Sequence, residues 1–269
     1  MILSLAELVG AARYEFRMQV RRPTVWIVFA AFTGLLVLLL NQGQSALGPY
    51  YTHLVAHTTL LKALADWTFN VNTFLPICLG PLLADRLPRD HRTRVDELFT
   101  SMPAPLGTRL VGKYLGALLA TLLPVLLIYA AGVGYIAYLA RNPVAFPLAI
   151  VTFAAIALPG MLFVGAFSIA CTAILWTPLY QFLFIGYWYW NTLWFHADIF
   201  NLSRTLLSPI GLIIVMGVFG LNESSDSQHV IHISATPLQG VASMVTLLAI
   251  TALVLFALER YLHWRQVSQ

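Results

Sequence analysis

The chain has 269 residues, of which 59% are hydrophobic and 10% are charged, and its formal net charge is +4. Soluble domains carry about 25% charged residues, so this composition excludes an ordinary soluble protein and predicts a polytopic α-helical membrane protein with one transmembrane domain over residues 1–269. The basic residues are dispersed among loops without a nucleic-acid-binding motif, which predicts contact with the lipid bilayer and no nucleic-acid partner.

The N-terminal segment, residues 1–23, is too charged to span a bilayer. Arg13, Arg17 and Arg21 recur every four residues on one face, and an apolar stripe follows another face. This pattern predicts an amphipathic helix that lies in the membrane interface and ends at Pro23. The stripe consists of Leu5, Leu8, Val9, Ala12, Phe16 and Val20.

Six apolar runs follow and predict six transmembrane helices. They cover residues 24–40, 66–84, 106–139, 147–175, 179–195 and 238–258, with an external loop over residues 41–65. The first turns of the third run, with Arg109 and Lys113, are assigned to the cytoplasm. The span interiors then contain no Asp, Glu, Lys, Arg or His. Transporters coupled to protons or ions usually carry such groups inside the membrane, so this pattern argues against a secondary transporter or channel.

A seventh apolar run, residues 205–221, is short and holds one proline and three glycines. If this run is re-entrant or lies in the outer leaflet, the chain crosses the membrane six times and only Lys62, Arg141 and Arg204 of the fifteen basic residues are external. If it spans, the C-terminal tail is external. The positive-inside rule favours six spans, with both termini cytoplasmic and an external loop over residues 196–237 that contains the re-entrant segment.

A charged connector, residues 85–105, joins the second and third spans on the cytoplasmic side. Its apolar side chains are surrounded by charges, which is typical of a protein interface. The positive-inside rule explains the arginines but neither the acidic residues nor the exposed apolar pair Leu98-Phe99, so we favour docking of a soluble partner over a solvated loop. The predicted interface residues are Arg86, Asp90, Arg94, Asp96, Glu97, Leu98, Phe99 and Met102.

Other polar and aromatic residues give weaker signals. The aromatic run at 187–190 is typical of an interfacial belt, with a substrate path as the alternative. His229 and His232 are too few to predict a metal site. Residues 107–114 match a phosphate-binding loop except that Tyr114 replaces the final Ser or Thr and no strand precedes, so we predict no nucleotide, cofactor or catalytic residue on this chain. The path candidates are Asn70, Asn72, Tyr187, Trp190 and Asn191.

Together these features resemble the type-2 ABC transporter permease family, most sharply from Ala84 to Leu115. Arg94-Val95 departs from the family pattern, because members typically carry Gly-Thr there. The matching residues are Tyr14-Glu15, Arg21-Arg22-Pro23, Ala84-Asp85-Arg86, Asp90, Asp96-Glu97-Leu98, Ser101-Met102-Pro103 and Gly112-Lys113-Tyr114-Leu115.

The resemblance implies the permease subunit of an ATP-driven exporter in the cell membrane. The connector would contain a coupling helix that docks in a groove of a separate ABC-type ATPase subunit, which binds the ATP and magnesium. Two permeases, either two copies of this chain or this chain and a sibling, would assemble with two ATPases. A non-transport membrane scaffold is a further alternative, and the sequence does not identify a substrate.

Overall fold

The computed structural model describes residues 5–40, 47–86, 105–193, 202–221 and 235–267. All regular elements in these ranges are helices, so the prediction of an all-α protein is confirmed for the described residues. The ten α-helices, of which α7 contains a π-helical turn over Phe153–Ala157, are α1 (Leu5–Val20), α2 (Pro23–Leu40), α3 (Leu47–His57), α4 (Leu60–Phe74), α5 (Pro76–Ala84), α6 (Leu106–Ala140), α7 (Ala145–Thr172), α8 (Thr177–Leu193), α9 (Leu212–Phe219) and α10 (Pro237–Val267).

Three of these helices, α6, α7 and α10, are long and apolar enough to cross a membrane. A fourth span is added if α1 and α2, which meet at a bend of 61°, are counted together. These helices identify a membrane protein, whereas the count of six spans and the interfacial position of α1 stay predictions. At 35 residues, α6 is about 52 Å long, so it extends beyond a hydrocarbon core of about 30 Å.

Helix α1 packs along the start of α6 through small residues. A Cβ on Gly112 would lie 2.7 Å from the Ala11 Cβ, and one on Gly116 would collide with the Ala12 carbonyl oxygen. This close approach turns Glu15 and Gln19 inward, while Leu5 and Val9 of the apolar stripe remain 76% and 55% exposed. The face that α1 buries in the protein therefore coincides only in part with the predicted stripe: Ala12 lies at the contact with α6, whereas Leu5 and Val9 do not, because small side chains allow the two backbones to approach.

The predicted second span begins earlier and is broken. Helix α4 starts at Leu60, which places Asp66 inside a helix and partly buried. It ends at Phe74, and α5 begins at Pro76, whose ring cannot donate the backbone hydrogen bond that a continuous helix needs. The predicted external loop, residues 41–65, also contains α3, so helical structure covers more of the chain than the apolar runs indicate.

The ambiguous run 205–221 contains only the eight-residue helix α9. Eight residues rise about 12 Å, so this helix is too short to cross a bilayer. The segment is buried in the protein: Gly160 of α7 lies against the Pro209 carbonyl oxygen, and Ser243 of α10 donates a 2.7 Å hydrogen bond to the Leu206 carbonyl. Burial of this kind is what irregular backbone at membrane depth requires, and it favours the re-entrant alternative.

Candidate functional site

The predicted partner-binding connector is only partly described. Seven of its eight predicted interface residues lie outside the described residues: Asp90, Arg94, Asp96, Glu97, Leu98, Phe99 and Met102. The eighth, Arg86, is the last residue before the gap, and α6 begins just after it. The described structure therefore shows the two ends of the connector, which we call its roots: the first root is Arg86, and the second root is the first turns of α6. Both roots make charged or tightly packed contacts.

The first root is fixed by a buried ion pair between Arg86 and Glu15 of α1. The Arg86 Nη1 donates to the Glu15 Oε1 at 2.7 Å, and the two side chains are only 2% and 6% exposed. A charge-assisted hydrogen bond of 2.7 Å is strong, and dissolved salt screens such a buried pair much less than an exposed one. Lys113 of α6 lies close enough to interact electrostatically with both partners. The end of α5, the start of α6 and the middle of α1 therefore meet at one charged centre.

Two more buried polar side chains lie on the elements that form this root. Gln19 and Thr108 are 1% and 0% exposed, and within the described part of the chain the Gln19 Oε1 and the Thr108 Oγ1 accept no hydrogen bond. Desolvated polar atoms cost free energy unless they find a partner.

The second root is packed against α10. A Cβ on Gly107, in the first turn of α6, would collide with the carboxylate of Glu259. Glycine leaves room for this approach without moving the Glu259 side chain, and the approach places an acidic group at the positive end of the α6 dipole, where a negative charge is stabilising. The connector is thus braced on the N-terminal helix through Arg86 and on the C-terminal helix through Gly107.

The near-match to a phosphate-binding loop lies in this second root. Residues 107–114 form the first turns of α6, so their backbone does not make the loop that surrounds phosphate in that motif. The Tyr114 hydroxyl donates to the Leu162 carbonyl at 2.8 Å. Tyr114 therefore joins α6 to α7.

The predicted path residues fall into separate environments. Asn72 is fully buried and donates to the carbonyls of Pro209 and Ile210, both at 2.9 Å. Asn191 is also buried, and its Oδ1 accepts from the Ser203 backbone N–H at 3.1 Å. Both side chains thus hold the segment that precedes or contains α9, and a role in a substrate path stays a prediction.

The aromatic residues of this group lie on α8 with different exposures. Tyr187 and Trp190 are 45% and 38% exposed. Trp188 between them is 2% exposed and donates to the Thr73 carbonyl at 2.8 Å. The run at 187–190 therefore combines outward-facing rings with one tryptophan that is part of the core. The sequence pattern did not distinguish the buried tryptophan from its exposed neighbours.

Asp66 is a partly buried polar centre that the apolar runs did not reveal. Its Oδ2 accepts from the Tyr51 hydroxyl at 2.9 Å and from the Asn70 Nδ2 at 3.1 Å. Burial raises the pKa of the Tyr51 hydroxyl, and the nearby Asp66 carboxylate raises it further, so this hydroxyl stays protonated and donates. Helix α4 begins before Asp66, so this carboxylate lies within a helix of the predicted second span. This residue weakens the argument against a secondary transporter, which rested on spans without ionisable groups.

Metal-binding chemistry has little support in the described ranges. The rings of His53 and His57 have centroids 4.2 Å apart, but no group of three His, Cys, Asp or Glu residues is close enough to hold a metal ion in the described part of the chain. His229 and His232 lie outside the described residues.

Comparison with known proteins gives no independent assignment. No protein-family model matches this chain, and no curated protein matches it.

Proposed function

We propose that this chain is the membrane-embedded permease subunit of an ATP-driven exporter whose ATPase is a separate ABC-type chain. The observation that carries the proposal is the bracing of both connector roots, at Arg86 by Glu15 and at Gly107 by Glu259. A loop that only crosses between two spans does not need a buried ion pair at one end and a carboxylate against the first turn of a helix at the other.

The bracing gives the connector a mechanical path into the bundle. A partner that moves the connector acts on the start of α6, which continues without interruption for 35 residues. The same movement acts on α1 through Glu15 and on α10 through Glu259. Packed helices with charged contacts at their ends are suited to move between discrete arrangements, which an exporter requires.

The remaining parts of the proposal follow from the charge pattern and from the resemblance. Both termini and the connector are placed in the cytoplasm, and the protein is placed in the cell membrane. A second copy or a sibling chain completes the translocation path, with ATP and magnesium bound only by the ATPase subunits. Such a chain would carry no catalytic residue of its own.

A secondary transporter is the second candidate, and Asp66 is the observation that favours it. A partly buried carboxylate that accepts hydrogen bonds from Tyr51 and Asn70 is a group that could exchange protons during transport. The two candidates make opposite predictions about energy coupling. A proton-coupled carrier works without a partner chain and depends on the Asp66 carboxylate.

The experiment is purification of the tagged chain from its native membranes in a mild detergent, followed by reconstitution in proteoliposomes. The proposal predicts that an ABC-type ATPase co-purifies and that the assembly hydrolyses ATP with or without a proton gradient. Asp66→Asn should retain that hydrolysis. Co-purification of no ATPase, together with a pH-driven proton flux that Asp66→Asn abolishes, would support the secondary transporter instead.

A further inference from the structure

The free side of α1 carries a row of basic residues. Arg13, Arg17 and Arg21, the last in the turn that follows the helix, are all exposed. Within the described ranges none of the three forms an ion pair. Four-residue spacing keeps the Arg13 and Arg17 side chains on one side of the helix, and Arg21 follows at the same spacing in the next turn, so the three exposed arginines form one basic surface.

The orientation of this surface is fixed from behind. Ala11, Ala12 and Glu15 pack against α6 and Arg86 on the opposite side of α1. A helix held by backbone-close contacts and a buried ion pair cannot rotate its arginines inward. The basic row therefore faces away from the protein.

A second exposed surface lies beside the row. Leu5 and Val9 are 76% and 55% exposed, and at 100° per residue they fall between the buried face and the arginines. The helix thus presents, in order around its axis, a protein-facing side, an apolar side and a basic side. Apolar and basic sides that adjoin each other match a helix lying at a bilayer surface, with its apolar side in the acyl chains and its cations among the headgroups.

The start of α2 supports that depth. The strongly apolar helix α2 follows Arg21 and Arg22 directly and is bent by 61° from α1. The indole of Trp26, in its first turn, donates to the Val20 carbonyl at 2.9 Å and so ties the end of α1 to the start of α2. Tryptophan is enriched at the boundary between lipid and water, so the basic row lies at the level of the headgroups.

From this arrangement we propose that α1 is a docking surface for anionic phospholipid headgroups, which Arg13, Arg17 and Arg21 bind. The inference depends on membrane placement and not on the proposed exporter function. Each arginine near an anionic surface contributes about 1 kcal/mol, which corresponds to about a fivefold change in lipid affinity. Loss of all three should weaken binding by about a hundredfold.

The test is native mass spectrometry of the full chain in a neutral detergent, titrated with phosphatidylglycerol or with phosphatidylcholine. The wild type should prefer phosphatidylglycerol. The triple Arg→Gln variant should lose that preference, and Arg17→Gln should weaken phosphatidylglycerol binding by about fivefold. The triple Arg→Lys variant should bind phosphatidylglycerol within about threefold of the wild-type affinity, because the positive charges are kept. Arg141→Gln, in an exposed turn after α6, is the matched control and should behave as wild type.

Two measurements separate lipid docking from a loss of folding and from a site for free phosphate. Thermal unfolding in neutral detergent should be unchanged in every variant, because the side chains are exposed, and Arg17→Gln serves as the test if the triple variant unfolds early. Inorganic phosphate at matched ionic strength should displace no more lipid than sodium chloride does. The proposal would be overturned if the wild type bound both lipids equally, or if Arg141→Gln weakened lipid binding as much as Arg17→Gln does. Selective displacement of lipid by phosphate would also overturn it, in favour of a site for free phosphate.

Discussion

The ion pair between Glu15 and Arg86 predicts a large and asymmetric effect of mutation. Removing one member of a buried pair typically costs about 3–5 kcal/mol, because the other charge is left in a medium that solvates it poorly. Glu15→Gln removes the carboxylate that interacts with both Arg86 and Lys113. Arg86→Gln leaves Glu15 close to Lys113. We therefore expect Glu15→Gln to be the more destabilising of the two substitutions.

The magnitude can be measured as a shift in the thermal unfolding midpoint of the detergent-solubilised protein. A loss of about 3–5 kcal/mol corresponds to a decrease of roughly 6–20 °C for a chain of this size. The double variant should lose less than the sum of the two single losses, because it removes both charges. Glu7→Gln, on the exposed side of α1, is the control and should stay within about 0.5 kcal/mol of wild type.

Two results would refute this reasoning. If Glu15→Gln unfolds at the wild-type midpoint, the pair does not stabilise the root of the connector. If the two single effects add in the double variant, the side chains act independently, and the short distance between them has no energetic consequence.

Three further predictions concern the segment over residues 205–221 and the topology. Asn72→Leu should cost about 1–3 kcal/mol in an unfolding assay, because it leaves the carbonyls of Pro209 and Ile210 in this segment unpaired; a wild-type midpoint would contradict the observed hydrogen bonds. Gly160→Ala should cost about 1–3 kcal/mol by collision with that segment, whereas Gly134→Ala, with open space around it, should not destabilise; equal effects would contradict the packing. Cysteines introduced at Ser225 and Ser268, both outside the described residues, should be labelled in intact cells only at Ser225; the reverse pattern contradicts six spans.

The helical class and the two ends of the connector were predictable because they depend on local pattern. Apolar runs of sufficient length specify α2 and α6, and their observed limits lie within a residue of the predicted ones. The polar and proline-rich stretch that precedes Leu106 marks the start of α6. These signals are read from neighbouring residues, so one sequence is enough to find them.

The contacts that give the candidate site its shape were not predictable in the same way. Glu15 and Arg86 are 71 residues apart, and no local pattern selects that pairing. One signal was present and was not used: Gly112 and Gly116 are spaced as in helix pairs that pack through small residues. That spacing indicates close packing on this side of α6, and the contact with Ala11 and Ala12 of α1 explains why the buried side of α1 includes only part of its apolar stripe.

Asp66 was missed for a related reason. A reading of hydropathy alone ends the predicted span at a charged residue. A helix continues through such a residue when other side chains supply hydrogen bonds to its charged group. Here Tyr51 of α3 and Asn70 of α4 supply those bonds, and α3 is not visible as an apolar run. A tertiary partner, not the local composition, determines where α4 begins.

The central claim is that the connector receives force from an ATPase subunit, and the most direct measurement is the association of that subunit with connector variants. Phe99→Asp and Glu97→Arg should each weaken capture of the ATPase by about thirtyfold or more, since loss of an interface anchor costs about 2 kcal/mol or more. Substrate-stimulated ATP hydrolysis should fall with it, while the unfolding midpoint of the isolated chain stays at the wild-type value. Asn142→Asp, in the exposed turn after α6, should change neither property. Wild-type capture and wild-type stimulation in both connector variants would contradict the account.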